Sequence, residues 1–498
     1  MHSLLFTIFP LVRLYGLHSS QLALQVLIIP ILLMGLLGLS FFVLALATTR
    51  QRQGATILAT LWLILFWLHQ PIKSMLTGGF AATSADILFL SLALMLAIRM
   101  TRYRGEFPVL DKFLTVTGII LVVSSVSIAV SAKLAYKGKL AERELPEIGT
   151  VFESHERKPD IYIIVLDGYA RSDVLENIYD YNNERFINFL ESSGFYVAEQ
   201  SHANYSQTAL SLASFLNFEY LDTLIENTEA NDRDKILLYE LIQQSSLRQL
   251  LEQGGYRYSA PPSGYTFSTT NENNEYRAPS RSVTFNEFEV LLMQGIPQIP
   301  GLKSMQANFH RKMVLDSLDA LQRVEKRDYP VLHFVHLWSP HPPFVFSQDG
   351  SPIEPEGPYF DVSDGSHVVR DKFIDSSEEY VHGYREQLIF LTERIMGSIS
   401  NILTKSEVPP VIIMMSDHGP GAHLDWDDVD NTDLTERLAN FIALYMPGVE
   451  SHQYYETMTP VNVSRLLLNS YFGTALPPLP DRSYFSAWLT PYDFVELK

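Results

Sequence analysis

Asp417 and His418 stand side by side in Ser416-Asp417-His418-Gly419, directly after the apolar run Val411 to Met415. A carboxylate oxygen and an imidazole nitrogen at such short reach are good zinc ligands, although a turn capped by Asp is the plain reading of the tripeptide alone. Asp167 occupies the equivalent place after a second apolar run, Asp160 to Leu166, where a turn former before Gly168 and a functional carboxylate are equally good accounts. Taken together, the three point toward a metal. Thr208 opens a helical pattern within the segment His202 to Asn217, H-A-N-Y-S-Q-T-A-L-S-L-A-S-F-L-N. A hydroxyl there gains from the free N–H groups of a helix start, and a metal held by Asp167, Asp417 and His418 would lower its pKa and make it a nucleophile. The alternative is that Thr208 only caps the helix, with Ser206 and Ser211 as ordinary helix-end hydroxyls.

Other polar residues carry a bland reading beside a functional one. Arg171, four residues after Asp167, can pair with a phosphate or be a solvated residue near a helix start. Asn204 can bond a phosphoryl oxygen, or its own backbone as loop asparagines commonly do. His333 and His336 share one apolar run at odd spacing, which points them to opposite faces of a sheet and makes core histidines the default. Trp338 and Phe344 flank His341 as an apolar wall or as core. The acidic cluster Asp425, Asp427, Asp428, Asp430 and Asp433 reads as a solvated loop, since the spacing and glycine of a calcium loop are missing.

These residues need a frame. Asp160 to Leu166, Val331 to Leu337 and Val411 to Met415 are apolar, β-rich runs of the kind buried on both faces of a sheet. Helical patterns such as Glu184 to Glu191 and Gln387 to Ile402 alternate with them, which predicts an α/β sandwich. Ligands of such sheets gather at the carboxyl ends of the strands, so Asp167, His341 and Ser416 to Gly419 are in the right places. Asn271 to Ser282 and Gln348 to Asp364 read as loops near the rim of the site.

Charge divides the chain. Residues 1–132 hold 8 Lys+Arg and 3 Asp+Glu, net +5; from residue 133 onward 29 basic residues face 53 acidic ones, net -24. Nucleic acid is set aside as a partner, because phosphate backbones recruit clustered Lys and Arg. The first part carries apolar runs at Leu4 to Leu17, Leu22 to Ala47, Ala55 to Leu68, Ile87 to Ile98 and Phe113 to Ala132, read as about five transmembrane helices, four if the first does not cross. No basic stretch precedes the first run, so a cleaved signal peptide is disfavoured. Arg50 and Arg52, then Arg99, Arg102, Arg104 and Lys112, mark two cytoplasmic loops and send everything after the last span to the outer side. The expected division is a membrane domain over 1–132, a linker over 133–158 and a folded domain over 159–498. The chain has no cysteine, so that outer domain holds together without disulfides.

The order of a buried strand ending in Asp, a hydroxyl opening a helix about 40 residues on, His-Pro-Pro-Phe and then Ser-Asp-His-Gly resembles the alkaline phosphatase and sulfatase superfamily over most of residues 159–486. With spans in front, the chain looks like its membrane-anchored branch, the phosphoethanolamine transferases and lipoteichoic-acid (phosphoglycerol) synthases, and T-A-L-S-L at Thr208 to Leu212 is similar to the sequence around the transferase nucleophile. The tail P-V-N-V-S-R-L-L-L-N at Pro460 to Asn469, with Gly473 and Asp481-Arg482-Ser483, resembles the closing helix and turn of sulfatase domains. The resemblance implies an alkaline-phosphatase-like domain with Thr208 as nucleophile. It implies Zn2+, alternatively Mn2+, on Asp167, Thr208, Asp417 and His418, and His341 on the substrate phosphate or a second metal. His423 is assigned to substrate binding with Asn204 and Arg171.

Three departures narrow the reading. No C/S-x-P-x-R stands near Thr208, which disfavours sulfate esters. The transferases usually have Glu where Asp167 stands, and cysteines beside the nucleophile. Asp167-Gly168-Tyr169 also looks like the D-G-[FY] of nucleotide pyrophosphatase/phosphodiesterases. The expected activity is transfer of a phospho-group from a membrane phospholipid donor to a lipid or glycan acceptor, from an integral inner-membrane position with the catalytic domain outside. A tethered phosphodiesterase, phosphatase or sulfatase-type hydrolase and a non-catalytic lipid-sensing scaffold are the alternatives.

Overall fold

The computed structural model describes residues 1–18, 24–75, 79–102, 107–136, 145–147, 157–225, 228–230, 232–233, 235–263, 274–276, 288–289, 292–293, 296, 302–355, 364–367, 374 and 376–497. Most of the linker, most of the Asn271 to Ser282 loop, and Arg104 lie outside them. The chain divides into two compact units, Met1–Lys139 with Phe285–Lys303, and Leu140–Thr284 with Ser304–Lys498. A contiguous division at 132 and 159 does not anticipate that 285–303 joins the first unit.

The first unit contains helices α1 (His2–His18), α2 (Ile28–Thr49), α3 (Arg52–Ser74), α4 (Gly79–Arg102) and α5 (Pro108–Tyr136). Four are long and apolar enough to cross a membrane: Ile28–Thr49, Arg52–Lys73, Ser84–Arg102 and Pro108–Ser131. The first apolar run, expected as a fifth span, forms the shorter helix α1, with Pro10 inside it. It packs against α5 where Gly118 leaves room for Leu5; a Cβ there would lie 2.9 Å from that of Leu5. Leu32, Leu36, Leu90, Leu94 and Ile120 are more than half exposed, an apolar surface that only a lipid-like solvent tolerates. Phe288 and Leu292 are buried in this unit with Leu11, Tyr15, Leu27 and Met34.

The second unit is built on a six-stranded sheet, in the order β2-β6-β5-β1-β4-β3. Its strands are β1 (Ile161–Leu166), β2 (Tyr196–Val197), β3 (Arg257–Ser259), β4 (Val331–Leu337), β5 (Val411–Met415) and β6 (Ile442–Tyr445). β5, β1, β4 and β3 run parallel, whereas at one edge β6 pairs antiparallel with β5 and β2 pairs antiparallel with β6. The three runs singled out by sequence are the central strands, with every residue buried. Because Leu166 pairs with Leu337 and Val165 with Met415, the three strands end at one level, and the residues after their last positions converge. Helices α6 (Ser172–Asn177), α7 (Glu184–Ser192) and α8 (Thr208–Leu216) come after β1 in the chain, and the long helix Ser377–Lys405 precedes β5. A separate hairpin pairs β7 (Ser483–Phe485) with β8 (Val495–Leu497).

Candidate metal and nucleophile site

Asp167, Asp417 and His418 each present one ligand atom within 4.8 Å of the others, all buried. They arrive from the ends of β1 and β5, and backbone ties fix the level: Asp167 N–H donates to Leu337 O at 3.0 Å, and His341 N–H to Asp167 O at 3.1 Å. Gly168, at φ +72, turns the chain and donates its N–H to Asp417 Oδ1 at 3.1 Å. Both Asp167 oxygens and Asp417 Oδ2 are buried and accept no hydrogen bond. Unbonded buried carboxylates are costly, so this set asks for a cation. Without one, burial and then the neighbouring Asp417 push the pKa of Asp167 well up.

His418 is prepared for the same task. Nδ1 lies 2.8 Å from Gly419 O, the arrangement in which Nδ1–H donates and the lone pair of Nε2 is left facing Asp167 and Asp417 at 3.8 and 3.3 Å. Burial, followed by Arg437 and His341, holds its pKa well below the usual value, so the ring is neutral as a ligand must be. The donor set of two carboxylates, one neutral imidazole and one hydroxyl suits a divalent cation of the zinc or manganese kind.

The hydroxyl is that of Thr208, whose Oγ1 sits 3.1 Å from His418 Nε2. Gln207, not Thr208, is the N-cap residue of α8, and no side chain caps the helix. Its first N–H groups are therefore free to meet an anion, and Thr208 is half-buried where the ligand residues are sealed. Ser211 Oγ pins α8 to the Asp417 loop by donating to Asp417 O at 2.7 Å. The segment before Thr208 is fastened to the C-terminal hairpin: Tyr484 N–H donates to Asn204 O at 2.9 Å and Ser206 N–H to Tyr484 O at 3.2 Å.

His341 joins the cluster. Trp338 Nε1–H meets its Nδ1 at 3.0 Å beside the Pro342 carbonyl, and its Nε2 turns toward Asp364 Oδ2 at 3.8 Å. Three expected residues lie in other bonds. Asn204 donates to Tyr220 Oη and Arg482 O and accepts from Val461 N–H. Arg171 forks onto Asp173 and donates to Ser201 O. His423 is exposed and bonded to Glu436, which raises its pKa. The acidic carboxylates after it cap turns, as Asp425 does for Asp427 N–H and Asp428 for Asp430 N–H.

Six residues of the site were not singled out for it: His336, Asp364, Tyr380, Tyr384, Gln387 and Arg437. His336, read as core by default, lies with Nε2 3.4 Å from Asp167 Oδ2, whereas His333 on the other face stacks on Tyr162 at 4.5 Å. Asp364 ends the predicted rim loop. It accepts from Tyr380 Oη and Arg437 Nη1, each at 2.6 Å, and is buried at 1% exposure. Burial opposes its charge, but His341, Arg437 and Tyr380 hold its pKa down to about 2. Tyr380, Tyr384 and Gln387 share one face of helix Ser377–Lys405. Tyr384 Oη bonds Gly168 O and Ala170 N–H, and Gln387 donates to His341 O at 3.1 Å. Their i, i+4, i+7 spacing is the signal from which this clamp was legible.

No family model and no curated protein matches the chain. Among solved structures, it is similar to the integral-membrane lipooligosaccharide phosphoethanolamine transferase A of Neisseria meningitidis, at TM-score 0.40 and 11% identity over 93% of this chain and 95% of that one. It is also similar to the C-terminal periplasmic domain of EcEptC from Escherichia coli (TM-score 0.41, 12% identity, 69% of this chain and 94% of that one). A third likeness is to the phosphonate monoester hydrolase of Agrobacterium radiobacter (TM-score 0.39, 12% identity, 66% and 80%).

Proposed function

We propose that the chain is a membrane-anchored, metal-dependent phosphotransferase of the alkaline phosphatase and sulfatase superfamily. In this reading it moves a phospho-group from a phospholipid head group to an envelope lipid or glycan through a phospho-Thr208 intermediate. The observation that carries it is Thr208 Oγ1, half-buried at an uncapped helix start and 3.1 Å from His418 Nε2, beside two buried carboxylates that accept no hydrogen bond at three of their oxygens. Asp167, Asp417, His418 and Thr208 would hold the metal, Zn2+ before Mn2+ because an imidazole stands in the set. The metal supplies a lowered pKa for the bound hydroxyl and positive charge for the phosphoryl oxygens.

Thr208 Oγ then forms a bond to phosphorus as the bond from phosphorus to the diacylglycerol oxygen breaks, and that oxygen leaves with a proton as diacylglycerol. The N–H groups that open α8 face the phosphoryl oxygens, and His341 Nε2 orients the group or protonates the leaving oxygen. In the second half an acceptor hydroxyl takes the phospho-group and Thr208 is restored. Hydrolysis differs only in that water is the acceptor, and the sealed ligand residues argue for exclusion of bulk water. Arginines beside α2, α3 and α4 support cytoplasmic loops, with the second unit outside an inner membrane.

The test is diacylglycerol release from vesicles containing phosphatidylethanolamine or phosphatidylglycerol labelled in the head group, with and without lipid and glycan acceptors. Release that needs Thr208, with label arriving on the acceptor, supports transfer. Release indifferent to any acceptor makes the chain a hydrolase, and a metal-free chain without release makes it a scaffold.

A further inference from the structure

Arg437 is 2% exposed and lies at the centre of the site. Its guanidinium is tied down on two sides: Nε donates to Ser206 O at 2.8 Å, and Nη1 to Asp364 Oδ2 at 2.6 Å and Gly419 O at 3.0 Å. Trp426 lies 5.0 Å from it, ring face toward the cation. Nη2 is different. Its partner is His418 Nε2 at 3.3 Å, the same nitrogen that Thr208 Oγ1 approaches at 3.1 Å. A guanidinium nitrogen is a donor only, so this contact uses the Nε2 lone pair, and a metal on His418 needs that lone pair too. One lone pair cannot serve both.

We propose that Arg437 Nη2 is the phosphoryl-oxygen donor of the site. Occupation of His418 Nε2 by a metal leaves Nη2 with no acceptor among the described residues, and a non-bridging oxygen of the phospho-group takes that place beside Thr208. The inference rests on the metal-dependent phosphotransfer reading above and adds to it the group that recognises the substrate oxyanion.

Two further observations agree. The three buried carboxylates are of two kinds: Asp364 accepts bonds at both oxygens, from Tyr380 and Gly365 N–H at one and Arg437 at the other, while Asp167 and Asp417 Oδ2 accept none. Asp364 therefore serves as the anchor of Arg437, and the metal belongs to the other two. Charge agrees as well, because one divalent cation and Arg437 together balance Asp167, Asp364 and Asp417. A site so balanced does not repel the single negative charge of a phosphodiester, which Nη2 then meets as a hydrogen-bond donor.

The full chain in detergent micelles, loaded with zinc, is titrated with orthovanadate as the phosphoryl probe, while metal content is read by mass spectrometry and folding by thermal melting. Wild type should bind vanadate. Arg437→Gln should keep its metal and lose about 100-fold in vanadate affinity, and Arg437→Lys, a point charge without the planar fork, about 10-fold. A metal-loaded variant within about threefold of wild type overturns the inference and leaves the phosphotransfer reading intact. Loss of metal in a variant that melts like wild type also overturns it, since Arg437 would then only position His418. Wild type that takes up neither metal nor vanadate removes both readings together. A crystal structure of the wild-type vanadate complex needs no variant: Nη2 on a vanadate oxygen supports the inference, and Nη2 still on His418 Nε2 refutes it.

Discussion

At the scale of single residues, the site is a set of carboxylates held out of water whose charge a divalent cation would balance. Metal uptake should therefore stabilise the fold by mass action: zinc is expected to raise the melting temperature of the wild type, and a chelator to lower it. Asp417→Asn should abolish most of that zinc-dependent shift, read by differential scanning calorimetry. The core histidines make a second prediction. Burial lowers the pKa of His310 to about 4 and of His333 to about 3, against 6.5 for the exposed ring. Between 6.5 and those values the unfolded chain binds protons that the fold refuses, so stability is lost as pH falls, by ~1.4 kcal/mol per pH unit for each histidine. His333→Phe, which keeps a ring against Tyr162, should flatten that loss in melts taken at pH 7 and pH 5. Asp167, Thr208, His341, Asp417 and His418 were legible because each stands next to a strand end or at a helix start. Asp364 and Arg437 were not, since their meeting spans 73 residues and no periodicity reports it.

At the scale of elements, strand ends and one helix do the positioning. The three central strands could be read directly, being long, apolar and β-rich. β2, β3 and β6 could not, since two or three residues carry no period and β6 owes its place to pairing with β5. Gly419 closes the β5 loop against the short helix Leu434–Leu438 that carries Arg437, donating its N–H to Arg437 O at 2.7 Å, and a Cβ on it would collide with the Glu436 carbonyl oxygen. Gly419→Ala must displace His418, and is expected to cost about 1–3 kcal/mol of stability along with most of the zinc affinity, measured by denaturant melts and calorimetry. Tyr384→Phe is a gentler probe of the same kind. It removes the hydroxyl shared by Gly168 O and Ala170 N–H, and leaves two buried backbone groups unbonded at about 1–3 kcal/mol each.

At the scale of the whole chain, net charge changes sign after residue 132, and the contacts divide the chain into two units. Segment Phe285–Lys303 belongs with the apolar helices, a return that the sequence does not announce because its apolar run, Val290 to Met293, is only four residues long. The absence of cysteine makes the orientation easy to check, since any introduced thiol is the sole one. A cysteine at Gln51, in the turn between α2 and α3, should be shielded from an impermeant maleimide in intact spheroplasts; one at the exposed Ser451 should react. The reverse pattern would put the catalytic unit on the cytoplasmic side. A covalent phospho-threonine is read by intact mass, with the full chain acid-quenched while turning over donor lipid and compared with Thr208→Ala. Wild type should carry an adduct that is absent from the variant, with a mass that names the group as phosphoethanolamine, phosphoglycerol or bare phosphate. Product formation with no adduct on wild type, or the same adduct on both proteins, would contradict it.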